Sequence, residues 1–516
     1  MKAQDYQISS EKFKFRAMGD TLHDKKLETK PVGYFKDALY RFTRNKGSIL
    51  AAFIIGFLVL FAIVGPWLTP YKVNQGDAYY ANVLPKSELF AKLGLGIWDG
   101  VGTQSRVSKV TLDKYLAIEQ ETGDKVVVGD ISETEEYEKN KKVTKYTFGI
   151  DTYSKVGIVL LEAMSPEEYL DIQRYQNETG IQVIYPITDP TLRTSAIAEQ
   201  SNANIWFKTG KSNSLVIEYD ENGNLIPIYK EYTGNDMYNS IRKEGDTPKY
   251  DYGIPKQNGT QWEVRVKYDE YYKYYHTEVL KDGIEYPSFM FGADAKGCDI
   301  FVQLSSGARF SFILAIIVAS VNLIVGAIYG AIEGYYGGKI DLFMERVSDI
   351  LSAVPNMIVI TLLKYHLDVN HVIVLFISFF LTGWIGMASR TRMQFYRFKN
   401  QEYVLVARTL GARDRRIMFK HIFPNAIGTL ITGSVLVIPS VIFSETSLSY
   451  LGIISLETGG VTSVGTLLSN GQAALYTFPH IIVFPAVFIS LLMLSFNLFG
   501  NGLRDAFNPS LRGAEE

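Results

Sequence analysis

Hydrophobic positions are spread unevenly along this chain. One uninterrupted apolar run fills residues 48–68, and a second series crowds residues 311–500. Residues 72–288, between them, mix polar and aromatic positions without a run that could cross a bilayer, which takes about 20 apolar residues. Read for helical spans, the pattern gives residues 48–68, 311–332, 350–363, 371–388, 426–445 and 480–499. The third is short, and an amphipathic stretch over 342–347 extends it backward. The expectation is a mostly α polytopic membrane protein with six spanning helices and an inserted α+β domain. The first run starts too far from the N-terminus for a secretory signal, and GPWLTP lacks a small-residue cleavage site, so it reads as a retained span. Pro355 and Pro439 are expected to kink their helices.

Charge orients these spans. Arg41, Arg44 and Lys46 precede the first run, nine Lys or Arg side chains lie between Arg390 and Lys420, and residues 446–479 contain none. Under the positive-inside rule the basic loop and both termini are cytoplasmic, and residues 72–288 lie outside the cell. Trp67 and Tyr71 fit the outer interface. The resulting division is a cytoplasmic segment 1–48, a first span 49–71, an inserted extracellular domain 72–288, a transmembrane core 289–505 with a cytoplasmic loop 390–425, and a cytoplasmic tail 506–516.

Four polar residues, Asn322, Asn356, Glu445 and Asn497, fall within or at the end of apolar runs. Acidic side chains there cost about 2.5–3.5 kcal/mol on insertion scales, so these residues should face other helices or a pathway. Glu445 lies near the outer end of its span, which favours packing or gating over ligand binding.

The inserted stretch carries local signals of its own. Ser165, Pro166, Glu167 and Glu168 read as a helix start, and Gly180 as its end. Residues 182–187 and 215–219 read as strands, the latter joined to 225–229 by a hairpin turn through Asp220 and Gly223. Tyr115-Leu116-Ala117-Ile118 followed by Glu121-Thr122-Gly123 echoes Tyr169-Leu170-Asp171-Ile172 followed by Glu178-Thr179-Gly180, which suggests a duplicated helix-then-strand unit. The tyrosine-rich run 268–276 fits either a recognition surface or a strand with alternating buried rings.

The basic loop is the most distinctive feature. Residues 402–424, EYVLVARTLGARDRRIMFKHIFP, predict a short helix with a small residue at Ala407 and an end at Gly411, where positive φ is wanted. This stretch resembles the cytoplasmic loop of bacterial ABC importer permeases, E-A-A-x3-G-x9-I-x-L-P, which docks on the ATPase subunit. Leu405, Val406 and Ala407 take its first three positions, then Gly411, His421, Phe423 and Pro424; Leu405 and His421 depart from the pattern. A second resemblance precedes the second span, where C-type oligopeptide and dipeptide permeases carry G-T-D-x-x-G-R-D-x-F. Gly292, Asp294, Gly297, Asp299 and Phe301 answer it, and Cys298 stands in place of Arg. Gly334 to Asp341, Thr382-Gly383-Trp384, Ser447 to Gly452 and Phe496 to Asp505 resemble further motifs of those permeases.

What the resemblance implies is a type I permease subunit, one half of a heterodimeric pathway, that works with two cytoplasmic ATPase subunits and a lipid-anchored extracellular peptide-binding protein. It implies no cofactor on this chain, with ATP and Mg on the ATPases, and a Gram-positive plasma membrane. The insertion lies outside the resemblance; it is expected to dock the binding protein, to shield released peptide, or to act as a cover.

Other chemistry finds little support. Gly210-Lys211-Ser212 ends like a Walker A loop, but Ile205 stands where its first glycine belongs. H-E-x-x-H and G-x-S-x-G are absent. One cysteine and six histidines argue against a metal centre or disulfide framework, and a net charge of -2 gives no nucleic-acid signature. A nickel or other small-solute importer, or a membrane-anchored receptor, remain the alternative readings.

Overall fold

The computed structural model describes residues 34–507 except 88–89, 91–95, 139–140, 190, 192–202, 209–217, 236–238, 241–248, 257–258, 368 and 457–461. A short amphipathic helix, α1 (Tyr34–Arg44), leads into α2 (Lys46–Leu68), whose first turn is capped by the Asn45 side chain accepting from Gly47 N and Ser48 N. Along α2 the side chains of Ala51, Leu58 and Ala62 are buried, whereas Phe53, Phe57, Leu60 and Trp67 are exposed to whatever surrounds the chain. That one-sided burial of an apolar helix fits a span at the rim of a bundle.

The inserted domain is built from two copies of one plan. The first comprises β1 (Val101–Val107), α3 (Lys109–Thr122), β2 (Val127–Glu138) and β3 (Lys141–Asp151), with antiparallel sheet order β1-β3-β2. The second comprises β4 (Ile158–Met164), α4 (Pro166–Thr179), β5 (Ile184–Tyr185), β6 (Ile254–Pro255) and β7 (Trp262–Lys267), with order β4-β7-β5 and β6 also on β7. Val101 answers to Ile158, Val107 to Met164 and Gly123 to Gly180, a constant displacement of 57 residues. The correspondence reaches single hydrogen bonds. Glu119 Oε1 accepts from Val126 N and Val127 N at 2.7 and 2.8 Å, and Gln176 Oε1 accepts from Val183 N and Ile184 N at 2.8 and 2.6 Å. Both helices end on a left-handed glycine, and β1 and β4 carry their irregularity at corresponding places, Gln104/Val107 and Leu161/Met164.

The duplication read from sequence is therefore present, but its helix register was one turn off: Tyr169 answers to Leu112, not to Tyr115. Ser165 and Gly180 bound α4 as expected, with Ser165 Oγ accepting from Glu168 N. The strand expected over 182–187 contracts to Ile184–Tyr185. The hairpin is visible from residue 218 onward, with Tyr219 bridging Leu225 and the Asp220 carboxylate accepting from Asn222 N and Asn224 N; residues 215–217 lie outside the described residues, as do Gly210, Lys211 and Ser212.

The tyrosine-rich run is not a strand. It forms α5 (Tyr268–Tyr274), continued by a π turn over Tyr275–Leu280. Tyr268, Tyr271, Tyr272 and Tyr275 recur at helical spacing, and Glu270 interrupts the alternation that a strand would need. Tyr268 and Tyr272 pack with Tyr80, Tyr153, Ile284 and Phe289, joining the insertion to its exit segment.

The membrane core follows. Asp299 caps α6 (Ile300–Tyr336) by accepting from Phe301 N. Then come α7 (Gly338–Ser352), α8 (Asn356–His366), α9 (His371–Thr382), α10 (Ile385–Phe398), α11 (Glu402–Thr409), α12 (Phe423–Val435), α13 (Val437–Tyr450), α14 (Val464–Gly471) and α15 (His480–Phe507). Among the described residues five helical segments are long and apolar enough to span, and α7 with α8 makes a sixth, bent by 70°. That bend falls where Pro355 stands, because the residue before a proline avoids helical ψ. The chain is likewise interrupted between Val435 and Val437, where the ring nitrogen of Pro439 removes a helical donor. Helices outrun the sequence-based spans because hydropathy drops at polar residues, whereas backbone hydrogen bonding continues through them.

Small residues decide the closest packing. Gly326, Gly330 and Gly334 form a row on α6 against α10, and a Cβ at Gly330 would lie 2.1 Å from Ala388 O. Only glycine permits that approach, the close-contact geometry typical of membrane helix pairs.

Candidate coupling site

The basic loop folds into α11 and a returning segment, the helical turn Asp414–Arg416 and the π turn Ile417–Ile422, which runs into α12. One side of α11 is fixed. Val404 is buried with Ala331, Tyr335, Phe395, Ile417, Met418 and Ile422, so the helix rests on the ends of α6 and α10. Tyr335 Oη donates to Asp414 Oδ1 at 2.6 Å, and Asn425 Nδ2 donates to Tyr403 Oη at 3.1 Å. The other side is open and apolar: Leu405, Val406 and Leu410 are 46, 56 and 81% exposed. Two uncovered aliphatic side chains on the helix and a third at its C-cap suit a contact with another surface.

The end of α11 is a Schellman motif. Ala412 N donates to Ala407 O at 3.1 Å and Gly411 N donates to Arg408 O at 3.0 Å, with φ of Gly411 at 81°. A Cβ at Gly411 would meet nothing within 4 Å, so glycine is required here by its backbone angle and not by space within this chain. Ala407 is half-buried; His421, in the π turn, and Phe423 are also half-buried, and Pro424 is exposed in the first turn of α12. Beside them Arg413, Arg415, Arg416, Phe419 and Lys420 line a groove of about 510 Å3.

A charged clamp that sequence reasoning did not single out lies behind the loop. Arg392 on α10 donates bidentately to Asp341 on α7, at 2.6 and 2.9 Å, and to Glu345 at 2.9 Å, while Tyr396 Oη also donates to Asp341. Lys399 Nζ donates to Gly334 O at 2.9 Å. Asp341 was legible as part of a motif; its partners on α10, some fifty residues on, were not, because nothing local in the sequence pairs them.

The four polar residues of the spans are not brought together. Asn322 is buried beside Gly383, Asn356 is half-buried in the first turn of α8, and Asn497 is exposed on α15. Glu445 is fully buried and accepts from Ser311 Oγ and Ser449 Oγ, both at 3.1 Å.

The motif before α6 is a joint. Asp294 Oδ1 accepts from Lys296 N and Cys298 N, and its Oδ2 accepts from Gln303 Nε2. Gly297 O accepts from Asp77 N, Asp294 O accepts from Asn82 N, and Gly292 O accepts from Ile300 N. Thus Gly292, Asp294, Gly297 and Asp299 fold together and hold the start of the insertion against the start of α6.

Two stretches of the chain match known protein families. The family described as "Binding-protein-dependent transport system inner membrane component" matches residues 323–513, and the family described as "N-terminal TM domain of oligopeptide transport permease C" matches residues 33–85. Residues 86–322 lie outside both. The oligopeptide transport system permease protein OppC of Bacillus subtilis is 42% identical over 240 residues, which cover 46% of this chain and 78% of that protein. The dipeptide transport system permease protein DppC of Lactococcus lactis is 36% identical over 236 residues, 45% of this chain and 68% of that protein. Among solved structures, the MetNI methionine ABC transporter in inward-facing conformations aligns with TM-score 0.31 and 9% identity, over 39% of this chain and 96% of that one. With 78% of the Bacillus subtilis permease covered at that identity, this multi-pass membrane chain belongs to the permease family of binding-protein-dependent ABC transport systems.

Proposed function

We propose that the chain is one of two homologous permease subunits of an importer for oligopeptides or dipeptides, driven by two separate ATPase subunits that carry ATP and Mg. The observation that carries this reading is the uncovered apolar side of α11, held from behind by Val404, Tyr335 and Asp414. Closure of the ATPases on ATP displaces α11; because α11 rests on the ends of α6 and α10, and Arg392 ties α10 to α7, those helix ends move with it. A rigid contact kept through both states is what converts a domain closure into a rearrangement of spans. Leu405, Val406, Ala407, Gly411, His421, Phe423 and Pro424 make up the ATPase-facing segment. Among Asn322, Asn356, Glu445 and Asn497, the buried Glu445 acts in packing or gating. Both termini are cytoplasmic, residues 72–288 are extracellular in a Gram-positive plasma membrane, and a lipid-anchored binding protein delivers the peptide to that side.

The test is a charge on the uncovered side. In Val406→Asp the buried face is untouched, so insertion and assembly with the second permease should be normal, while co-purification of the ATPases and uptake of a radiolabelled tripeptide should each fall at least about tenfold, the effect of about 1.4 kcal/mol. Wild-type co-purification and uptake would overturn the assignment.

A further inference from the structure

A cavity of about 1000 Å3 opens within the inserted domain between its two repeats. Lys114, Tyr115 and Ile118 of α3 form one wall, and the opposite wall is the whole of β4. This volume is at the top of the range for ligand sites, roughly 300–1,000 Å3.

β4 is an edge strand, because its sheet runs β4-β7-β5 and nothing among the described residues pairs with its outer side. The register identifies which groups it presents. Lys267 N donates to Val183 O on the β5 side, so Val266 and Val264 turn toward β4, opposite Val159 and Leu161. By the alternation of an antiparallel ladder, the N–H and C=O of Ile158 and Leu160 point outward into the cavity. Asn204 Oδ1 occupies the Ile158 N–H at 2.7 Å. Those of Leu160 have no partner among the described residues. Polar side chains stand at both ends of the strand. Lys155, just before β4, is desolvated by burial, which lowers its pKa, and it makes no ion pair or hydrogen bond among the described residues. At the far end stand Glu162, which pairs with Lys256 at 3.4 Å, and Glu168, which accepts from Tyr271 Oη at 2.7 Å.

We infer that this groove binds an extended peptide of about five residues as an added strand on β4, antiparallel to it, with the peptide N-terminus toward Glu162 and Glu168 and its C-terminal carboxylate toward Lys155. Strand addition supplies affinity through the main chain and is indifferent to most side chains. The five residues 158–162 match five peptide residues at about 3.4 Å each. In this arrangement Leu160 faces the third peptide residue and exchanges both backbone hydrogen bonds with it, Lys155 lies on the side that receives the carboxylate, and the acidic pair receives the ammonium. A groove that takes any short peptide by its backbone and its two charged ends, on a domain fixed to the start of α6, retains released peptide at the pathway mouth. The inference takes its ligand class from the peptide-uptake reading above.

The test uses the full permease assembled with its partner subunits in nanodiscs and titrated with pentaalanine. N-methylation at the third residue removes the donor aimed at Leu160 and should weaken binding at least about tenfold, whereas N-methylation at the second residue, whose N–H points away, should leave it within about twofold. Leu160→Pro removes the outward donor, a substitution an edge strand tolerates, and should weaken the unmodified peptide to the same extent. Amidation of the peptide C-terminus should weaken binding to the wild type and make no difference to Lys155→Ala. Equal binding of the two methylated peptides, or unchanged binding to both variants, would overturn the groove. So would peptide binding seen only when the delivery protein is present, which would mean that the edge receives that protein instead. The two readings fail differently: a wild-type assembly that takes up no peptide with its binding protein refutes peptide import, whereas normal uptake with binding insensitive to Leu160→Pro and Lys155→Ala refutes only the groove.

Discussion

Gly411 separates geometry from bulk at the coupling helix. Its φ of 81° closes the Schellman motif through Ala412 N to Ala407 O and Gly411 N to Arg408 O, and a Cβ would meet nothing within 4 Å. Within this chain a substitution therefore acts through the backbone angle alone. Left-handed φ costs an ordinary L-residue about 1–2 kcal/mol, is more tolerable for Asn, and is worst for a β-branched residue. If the motif fixes the angle at which α11 meets the ATPase, that strain is the largest loss it can transmit, about 5- to 30-fold in association. Gly411→Asn should thus retain most ATPase binding, Gly411→Ala should lose roughly tenfold, and Gly411→Val should lose the most, in that order and not in order of side-chain volume. Affinity of the detergent-purified permease pair for the isolated ATPase, measured by biolayer interferometry, gives the series. Equal losses for Asn and Val would refute the reasoning, since the two are of similar size and differ most in their tolerance of left-handed φ.

Two further expectations concern the inserted domain. Burial raises the Asp269 carboxyl to about 6, with the charges of Asp124 and Glu270 adding to it and that of Lys267 opposing. A carboxyl whose folded value exceeds its unfolded 3.8 holds its proton more tightly in the folded state, so the domain should lose stability as pH rises from about 4 to 6 and level off above; in Asp269→Asn that decline should shrink, and an unchanged melting profile by tryptophan fluorescence would contradict the assignment. Swapping amide for carboxylate at the equivalent acceptors of the two repeats, in opposite directions, should have unequal effects. Glu119→Gln keeps the oxygen that receives Val126 N and Val127 N and should change stability by less than about 0.5 kcal/mol. Gln176→Glu buries a charge and removes the donor to Ser240 Oγ, so it should cost at least about 1–3 kcal/mol; equal melting temperatures for the two variants would count against the shared design.

Much of this architecture was legible where one residue type has one physical use. Ser165 and Gly180 bound their helix, Gly411 ends α11, and Pro355 stands at the break of a bent span, because caps, left-handed turns and ring clashes are local. The tyrosines of α5 were misread because each ring suits a buried strand as well as a helix face, and only the full set of intervals decides. The row Gly326, Gly330 and Gly334 gives no hydropathy signal, since small residues speak through what they allow to approach. The repeat was visible at Glu121-Thr122-Gly123 but misaligned upstream, where the core accepts Leu112 and Tyr169 at equivalent places: burial is shared and identity is not. Arg392 with Asp341, and Leu160 with its open edge, belong to tertiary pairing, which sequence spacing does not encode.

One helix joins the two regions that matter for transport. α6 has 37 residues, a rod of about 55 Å, and so extends well past the roughly 30 Å of hydrocarbon at its two ends. At one end Tyr335 holds Asp414 of the loop that carries α11; at the other Asp299 caps the helix within the Asp294 turn, onto which Asp77 and Asn82 of the insertion are hydrogen-bonded. Trp98 Nε1 adds a bond to Met290 O at 2.6 Å and packs on Phe484 of α15. Along its length the Gly326 to Gly334 row presses α6 directly on the α10 backbone, leaving no slack between the two helices. If α11 takes the push of the ATPases as proposed, these contacts give that push a continuous packed path to the base of the inserted domain, and a spectroscopic distance between labels at Val406 and Gly223 should then change with ATP; an unchanged distance would mean that the insertion stands apart from the cycle.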